Sequence, residues 1–233
     1  MVKEIAIYLE GGGDKPETLA PFRQGMSTFL NPLVEEARKH RIRWSVIPCG
    51  GRSQAYEAFK SALKTDPDTY NVLLVDAEEA VSDREKPWEH LKTRPGDEWT
   101  KPAKAKDEHC HLMIVTMETW FLADVPSLTE LLKKTKGFDP SVFPAMPPAP
   151  RPPRAGDKSA PHKPITFLES KSKSAVNAIL RKAFRQTDAG EYRKIDHGAK
   201  MLAAIDPDKV RQQCPSCERL FKALGTVLGN KNI

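Results

Sequence analysis

The sequence lacks the features that would place it in a membrane or in an oxidising compartment. No hydrophobic run approaches the roughly 20 residues needed to cross a bilayer. The chain passes from Lys3-Glu4 straight into a strand-like segment, which predicts that no secretory leader is present and that the protein is cytoplasmic. Cysteine is scarce: Cys49, Cys110, Cys214 and Cys217 are the four present, and two of them begin or end apparent strands, which suits buried free thiols rather than a disulfide framework. Cys214 and Cys217 form a C-x-x-C pair, but zinc would need two further ligands and His197 lies at no recognised finger spacing. A helical turn carrying Pro215-Ser216 is the expected reading there. Internal repeats are also absent.

What is present describes a globular chain. Its 233 residues, 39% hydrophobic and 29% charged, are enough for one good core. The formal charge of +6 is unevenly spread: residues 1–150 carry 20 basic and 23 acidic side chains, and residues 151–233 carry 17 and 8. An acidic first part joined to a basic last third suits an anionic polymer as partner, since basic groups neutralise phosphates. The alternative is a basic helical tail that is merely solvated surface.

Strand and helix periods alternate along the first half. Segment 3–9 reads as a buried strand and Gly11-Gly12-Gly13 as a tight turn. Helical spacing follows over 17–40, with a break or kink implied by Pro32. A second strand over 42–48 leads through Gly50-Gly51 into a helix to about 64, an arrangement that can offer backbone N–H groups and Arg52 to a phosphate, or can serve only as a turn. The third strand, 70–76, is the clearest. Residues 80–108 read as an irregular charged insertion with a short helix near 87–91, and a fourth strand spans 110–116, followed by helices at 117–124 and 126–135. Nine of the 20 prolines fall in 140–164, among Arg151, Arg154, Lys158 and Lys163, which predicts an extended loop. Helical patterns return at 169–186, 189–204 and 207–224. Together these predict an α/β fold, a mostly parallel sheet flanked by helices with a helical C-terminal segment. The expected divisions are 1–136, 137–165 and 166–233.

The carboxylates give the chemistry. Glu10 follows Ile5-Ala6-Ile7-Tyr8-Leu9, Asp76 and Glu78 follow Val72-Leu73-Leu74-Val75, and Glu118 follows Leu112-Met113-Ile114-Val115. In an open α/β sheet the C-terminal strand ends line one crevice, so these groups can converge. Converging carboxylates repel one another and are held ionised by a hard divalent cation with oxygen ligands, Mg²⁺ or Mn²⁺. Taken singly, each could instead be a solvated loop residue or a helix N-cap.

These residues resemble the Toprim fold of topoisomerases, primases and the overcoming-lysogenisation-defect nucleases. The likeness lies in Glu10 within Glu10-Gly11-Gly12-Gly13-Asp14, in Asp76-x-Glu78, and in Met117-Glu118-Thr119-Trp120-Phe121-Leu122-Ala123-Asp124, which is similar to a strand-end element of small stand-alone Toprim-like proteins. It covers about residues 3–125, and more loosely the whole chain through Tyr192-Arg193-Lys194. Two departures matter: Asp-x-Glu stands where Asp-x-Asp is common, and no winged helix or nucleophilic tyrosine accompanies the acidic set. The resemblance therefore implies hydrolysis rather than strand passage.

On that basis the expectation is a Mg²⁺- or Mn²⁺-dependent nuclease acting on DNA or RNA, tRNA included. Glu10, Asp76, Glu78 and Glu118 would be its metal-binding and catalytic residues, and Asp14 would stand behind them. Arg52, Lys171, Lys173, Arg181, Lys182, Arg185, Lys194 and Lys200 would contact the nucleic acid, with His197 one helical turn from Lys200 as a proton donor or a plain surface histidine. The resemblance also implies a role in antiphage defence beside an ATPase of the AAA or ABC type, and allows a homo-oligomer. The competing expectation is a non-catalytic sensor or interaction subunit of such an ATPase complex.

Overall fold

The computed structural model describes residues 2–82, 85–145 and 166–229. Its centre is a four-stranded, all-parallel sheet in the order β2-β1-β3-β4. The strands are β1 Glu4–Leu9, β2 Arg43–Pro48, β3 Thr69–Asp76 and β4 Cys110–Met113. Parallel strands need crossover connections, and here helices supply them: α1 Pro16–Phe29 and α2 Asn31–Lys39 lead from β1 to β2, α3 Arg52–Thr65 from β2 to β3, and α4 Pro87–Thr93 lies between β3 and β4. After β4 come α5 Glu118–Ala123, α6 Val125–Leu132, α7 Lys173–Arg185, α8 Lys194–Ala204, α9 Pro207–Gln213 and α10 Pro215–Val227. The fold is α/β and consistent with a Rossmann-like arrangement.

Both faces of the sheet are covered, which is why β1 and β3 read as near-continuous apolar runs rather than alternating ones. Ile5, Ile7, Leu9, Val72, Leu73, Leu74 and Val75 are all fully buried. Tyr8 packs edge-on to Phe59 of α3, which in turn meets Trp88 of α4. Elsewhere Phe29 of α1 stacks on Trp120 of α5 and meets Phe221 of α10 edge-on. The C-terminal helices therefore complete the same core as the sheet.

The chain visits β1, then β2 on one side of it, then β3 on the other. The sheet order thus reverses between β1 and β3, and the crevice at their C-terminal ends is the topological switch point where ligands bind in folds of this class. Glu10 and Asp76 stand at those two ends.

The interruption expected at Pro32 is present: 17–40 forms two helices, with Pro32 in the first turn of α2, where a missing N–H costs nothing. Other local expectations resolve differently. The 207–224 helix is also two, because Pro215 opens α10 and Cys214 caps it. β4 stops at Met113, and Val115, at φ 65°, breaks the extended course. The 80–108 segment buries Trp88, Leu91, Asp97, Trp99 and Ala105, so it is a packed part of the fold. In the expected 137–165 loop, residues 146–165 lie outside the described residues, with Arg151, Arg154, Lys158 and Lys163 among them.

Candidate metal centre

Three strand-end carboxylates meet. Glu10, Asp76 and Glu78 each place an oxygen within 4.8 Å of the others. Backbone geometry at the strand ends sets this up. Beyond β1 the chain turns through Gly11 at φ 122°, where a side chain would run into the Phe22 ring, and Gly11 exchanges backbone hydrogen bonds of 2.8 and 3.1 Å with Gly50. Beyond β3, Glu78 adopts φ 71°, and its N–H donates to the carbonyl of Val115 at 2.7 Å. Val115 is a buried β-branched residue in the left-handed region, a strained conformation of the kind that concentrates at functional sites.

Each carboxylate is held from the protein side. Glu10 Oε2 accepts the Asp76 N–H at 3.1 Å, tying the ends of the two adjacent strands together. Asp76 is 1% exposed; its Oδ1 accepts the Met117 N–H at 2.8 Å and its Oδ2 accepts Lys194 Nζ at 2.9 Å. Glu78 pairs with Lys173. Burial, together with the charge on Asp76, pushes Glu10 up to about 7 in spite of Arg52 and Lys194 nearby, the behaviour of a carboxylate crowded by its own kind.

Glu118 stands one step behind this trio. It is 2% exposed, takes hydrogen bonds from Thr116 and from the Tyr192 hydroxyl (3.0 Å), and lies 3.5 Å from Lys194 Nζ. Lys194 thus bridges Asp76 and Glu118. Burial works against its charge, but Asp76 and Glu118 outweigh it and raise the ammonium above the ordinary lysine range. Burial and the Glu118 charge raise the Tyr192 hydroxyl as well, keeping it a proton-bearing donor.

The residues expected on a substrate path divide. Lys194 and Lys173 are drawn into the cluster. Arg52, expected as a free donor, has its Nε and Nη2 on Asp97 at 2.8 and 2.5 Å, leaving Nη1 for the Asp76 carbonyl at 3.1 Å and Glu10 at 3.3 Å. In the Gly50-Gly51 turn, which could either present N–H groups to a phosphate or serve only as a turn, Gly50 gives its N–H to the Gly11 carbonyl. Lys171 lies over the exposed Phe167 ring at 3.8 Å. Arg181, Lys182 and Arg185 are exposed on α7, near Ser174 and the half-buried Asn177, and Arg185 also pairs with Glu191. Lys200 is exposed on α8, and Asp14 is exposed beside Gly50. The His197 ring accepts the Arg193 N–H at 3.0 Å and packs on Phe184. Cys214 and Cys217 are fully buried free thiols, pushed well up by burial.

Sequence reasoning missed Asp97, Thr116 and Tyr192 as members of the site. The Tyr-x-Lys spacing was the one signal available for Tyr192. Asp97 follows a Pro-Gly pair in a charged stretch and looks like any turn residue.

An oxygen-only donor set of this kind is the chemistry that hard cations take, in contrast to the Cys- and His-rich sites of zinc. The chain is therefore an α/β protein with an acidic centre at its switch point. A family model described as a domain of unknown function, DUF4276, matches residues 24–225, and the chain belongs to that family. The match covers Asp76, Glu78, Glu118, Lys173 and Lys194, and begins after Glu10. No curated protein and no solved structure matches the chain. Among the described residues, no helix is long and apolar enough to cross a membrane.

Proposed function

We propose that the protein is a metal-dependent phosphodiesterase acting on nucleic acid. The observation that carries this reading is the convergence of Glu10, Asp76 and Glu78 at the switch point, with oxygens within 4.8 Å of each other. These residues would hold Mg²⁺ or Mn²⁺, which when bound acidifies water and stabilises charge on a phosphate. Asp76 is kept in place by the Met117 N–H and Lys194. Glu118, anchored by Thr116 and Tyr192, orients Lys194 toward Asp76 rather than binding with the trio. Lys173 begins α7 at the mouth of the centre, and the exposed Arg181, Lys182 and Arg185 further along that helix suit the backbone of a polyanion. The Toprim-like strand-end pattern favours hydrolysis of DNA or RNA, cytoplasmic action, and an antiphage setting with an ATPase partner.

One observation favours a second reading, a restrained or non-catalytic subunit of an ATPase complex. Every carboxylate of the trio already has a cationic partner within the chain: Arg52 for Glu10, Lys194 for Asp76 and Lys173 for Glu78. The test is incubation of the purified protein with plasmid DNA, single-stranded DNA and total tRNA in Mg²⁺ and Mn²⁺, with EDTA and Glu10→Gln controls. Metal-dependent cutting lost in both controls is expected. Cutting that persists in Glu10→Gln would refute the proposed centre, and absence of cutting would favour the second reading.

A further inference from the structure

The best-buried charge near the centre belongs to none of the residues that strand-end reasoning selects. Asp97 follows α4, and its side chain is fully excluded from solvent. Its two oxygens accept Arg52 Nε at 2.8 Å and Nη2 at 2.5 Å, a two-pronged pairing of carboxylate with guanidinium, and Arg94 Nη1 lies 2.8 Å from the second oxygen. Trp99 closes the arrangement. The Arg52 guanidinium lies 5.4 Å from its ring centre, and the ring stacks on Tyr56 at 4.3 Å. The Tyr56 hydroxyl donates to the Thr100 carbonyl at 2.6 Å, pinning the ring pair.

This clamp decides how much of Arg52 the acidic centre sees. Only Nη1 reaches it, 3.3 Å from Glu10 Oε2, 3.1 Å from the Asp76 carbonyl and 3.9 Å from Glu78 Oε1. A guanidinium free to turn would present its fork to Glu10 or Glu78 and compete directly with a divalent cation for their oxygens. We propose that Asp97 is a positioning residue of the metal centre: by engaging the far edge of Arg52 it confines that charge to a single nitrogen, Nη1, and keeps Glu10 and Glu78 available to the cation. The inference rests on the metal-centre reading.

The test is Mn²⁺ titration of the full-length protein by calorimetry, with thermal melts to establish that each variant is folded. Asp97→Asn preserves volume but releases Arg52, and should weaken Mn²⁺ binding about tenfold, the scale of effects from partners behind a metal's ligands. The double variant Arg52→Gln/Asp97→Asn removes the competing cation and should recover affinity to within about threefold of wild type. A merely structural aspartate gives the opposite order, with the double variant no better than the single. That order, or unchanged affinity in Asp97→Asn, overturns the proposal. If Asp97→Asn does not fold, the comparison of Arg52→Gln with Arg52→Gln/Asp97→Asn decides. Without Arg52, loss of Asp97 should change affinity less than about twofold, and a change of about tenfold overturns the proposal. Failure of the wild-type protein to bind Mn²⁺ removes the metal-centre reading, and this inference with it; failure in the variants' pattern removes the inference alone.

Discussion

Replacing Lys194 with methionine tests the electrostatics of the centre directly. The ammonium lies 2.9 Å from Asp76 Oδ2 and 3.5 Å from Glu118 Oε2, and these carboxylates are 1% and 2% exposed. Methionine keeps much of the volume but leaves two neighbouring carboxylates without the cation that bridges them. Breaking a buried pair by removing one partner costs about 3–5 kcal/mol, because the remaining charge stays desolvated. The Lys194 side chain is 39% exposed, so water screens part of the pairing and the expected loss falls to about 3 kcal/mol. Urea unfolding in EDTA should show this as a midpoint lowered by ~1–2 M at typical slopes. A cation held by Glu10, Asp76 and Glu78 should return part of the loss, since a ligand at one hundred times its dissociation constant stabilises by about 2.7 kcal/mol. Lys194→Met should therefore gain more from Mn²⁺ than the wild type does. A loss below about 0.5 kcal/mol in EDTA, the level of an ordinary surface change, would refute the buried bridge. Equal Mn²⁺ gains in the two proteins would refute its coupling to the metal centre.

Other perturbations read different parts of the same construction. Lys173 pairs with Glu78 from a 42% exposed position, so Lys173→Ala should tighten Mn²⁺ binding by up to about fivefold, the scale of a partly exposed pair, and unchanged or weaker binding in a calorimetric titration would count against Glu78 as a ligand. Burial lowers the His111 imidazole from 6.5 to about 4, so the unfolded chain takes up its proton first as pH falls. The contribution of neutral His111 is therefore complete above pH 6.5 and is lost as pH falls toward 4, at a cost of about 3 kcal/mol, and His111→Gln should flatten that part of the pH–stability profile. Gly25 of α1 faces the Ala199 carbonyl of α8, where an added methyl collides with backbone. Gly25→Ala should destabilise by about 1–2 kcal/mol in thermal unfolding, overpacking exceeding the helix-propensity gain, and a more stable variant would show that the helix pair can separate without cost.

The sequence makes the sheet and the trio legible for one reason: in a parallel sheet a strand ends where its apolar run ends, and the crevice begins there. Glu10, Asp76 and Glu78 follow such runs, and the structure brings them together. Glu118 obeys the same rule yet stands behind the trio, because β4 ends at Met113 and the chain turns through a left-handed Val115 before α5 begins. Nothing local in Leu112-Met113-Ile114-Val115 announces that turn. The cations were legible as charges but not as partners. Lys173 and Lys194 lie 95 and 118 residues from Glu78 and Asp76, and Arg52 lies 45 from Asp97, so only tertiary packing pairs them. The Asp97 clamp was the least legible, since its segment reads as a charged insertion and its packing depends on Trp99 meeting Tyr56 of α3.

Helix α7 begins at Lys173 and α8 at Lys194. A cation in the first turn opposes the helix macrodipole by about 0.3–1 kcal/mol, so both lysines sit at the wrong end of their helices by local criteria. A local preference set aside at two helices that point into one cluster indicates a compensating gain, and the carboxylates of Asp76, Glu118 and Glu78 supply it. The trio Glu10, Asp76 and Glu78 comes from strand ends in the first half of the chain and two of its three cations from helices in the second, so neither half builds the centre alone. The packing of α1 on α8 through Gly25 and Ala199 joins them. On the proposed reading, a divalent cation entering this centre would replace positive charge already in place, and its affinity would be set as much by where Lys173, Lys194 and Arg52 can go as by the carboxylates that receive it.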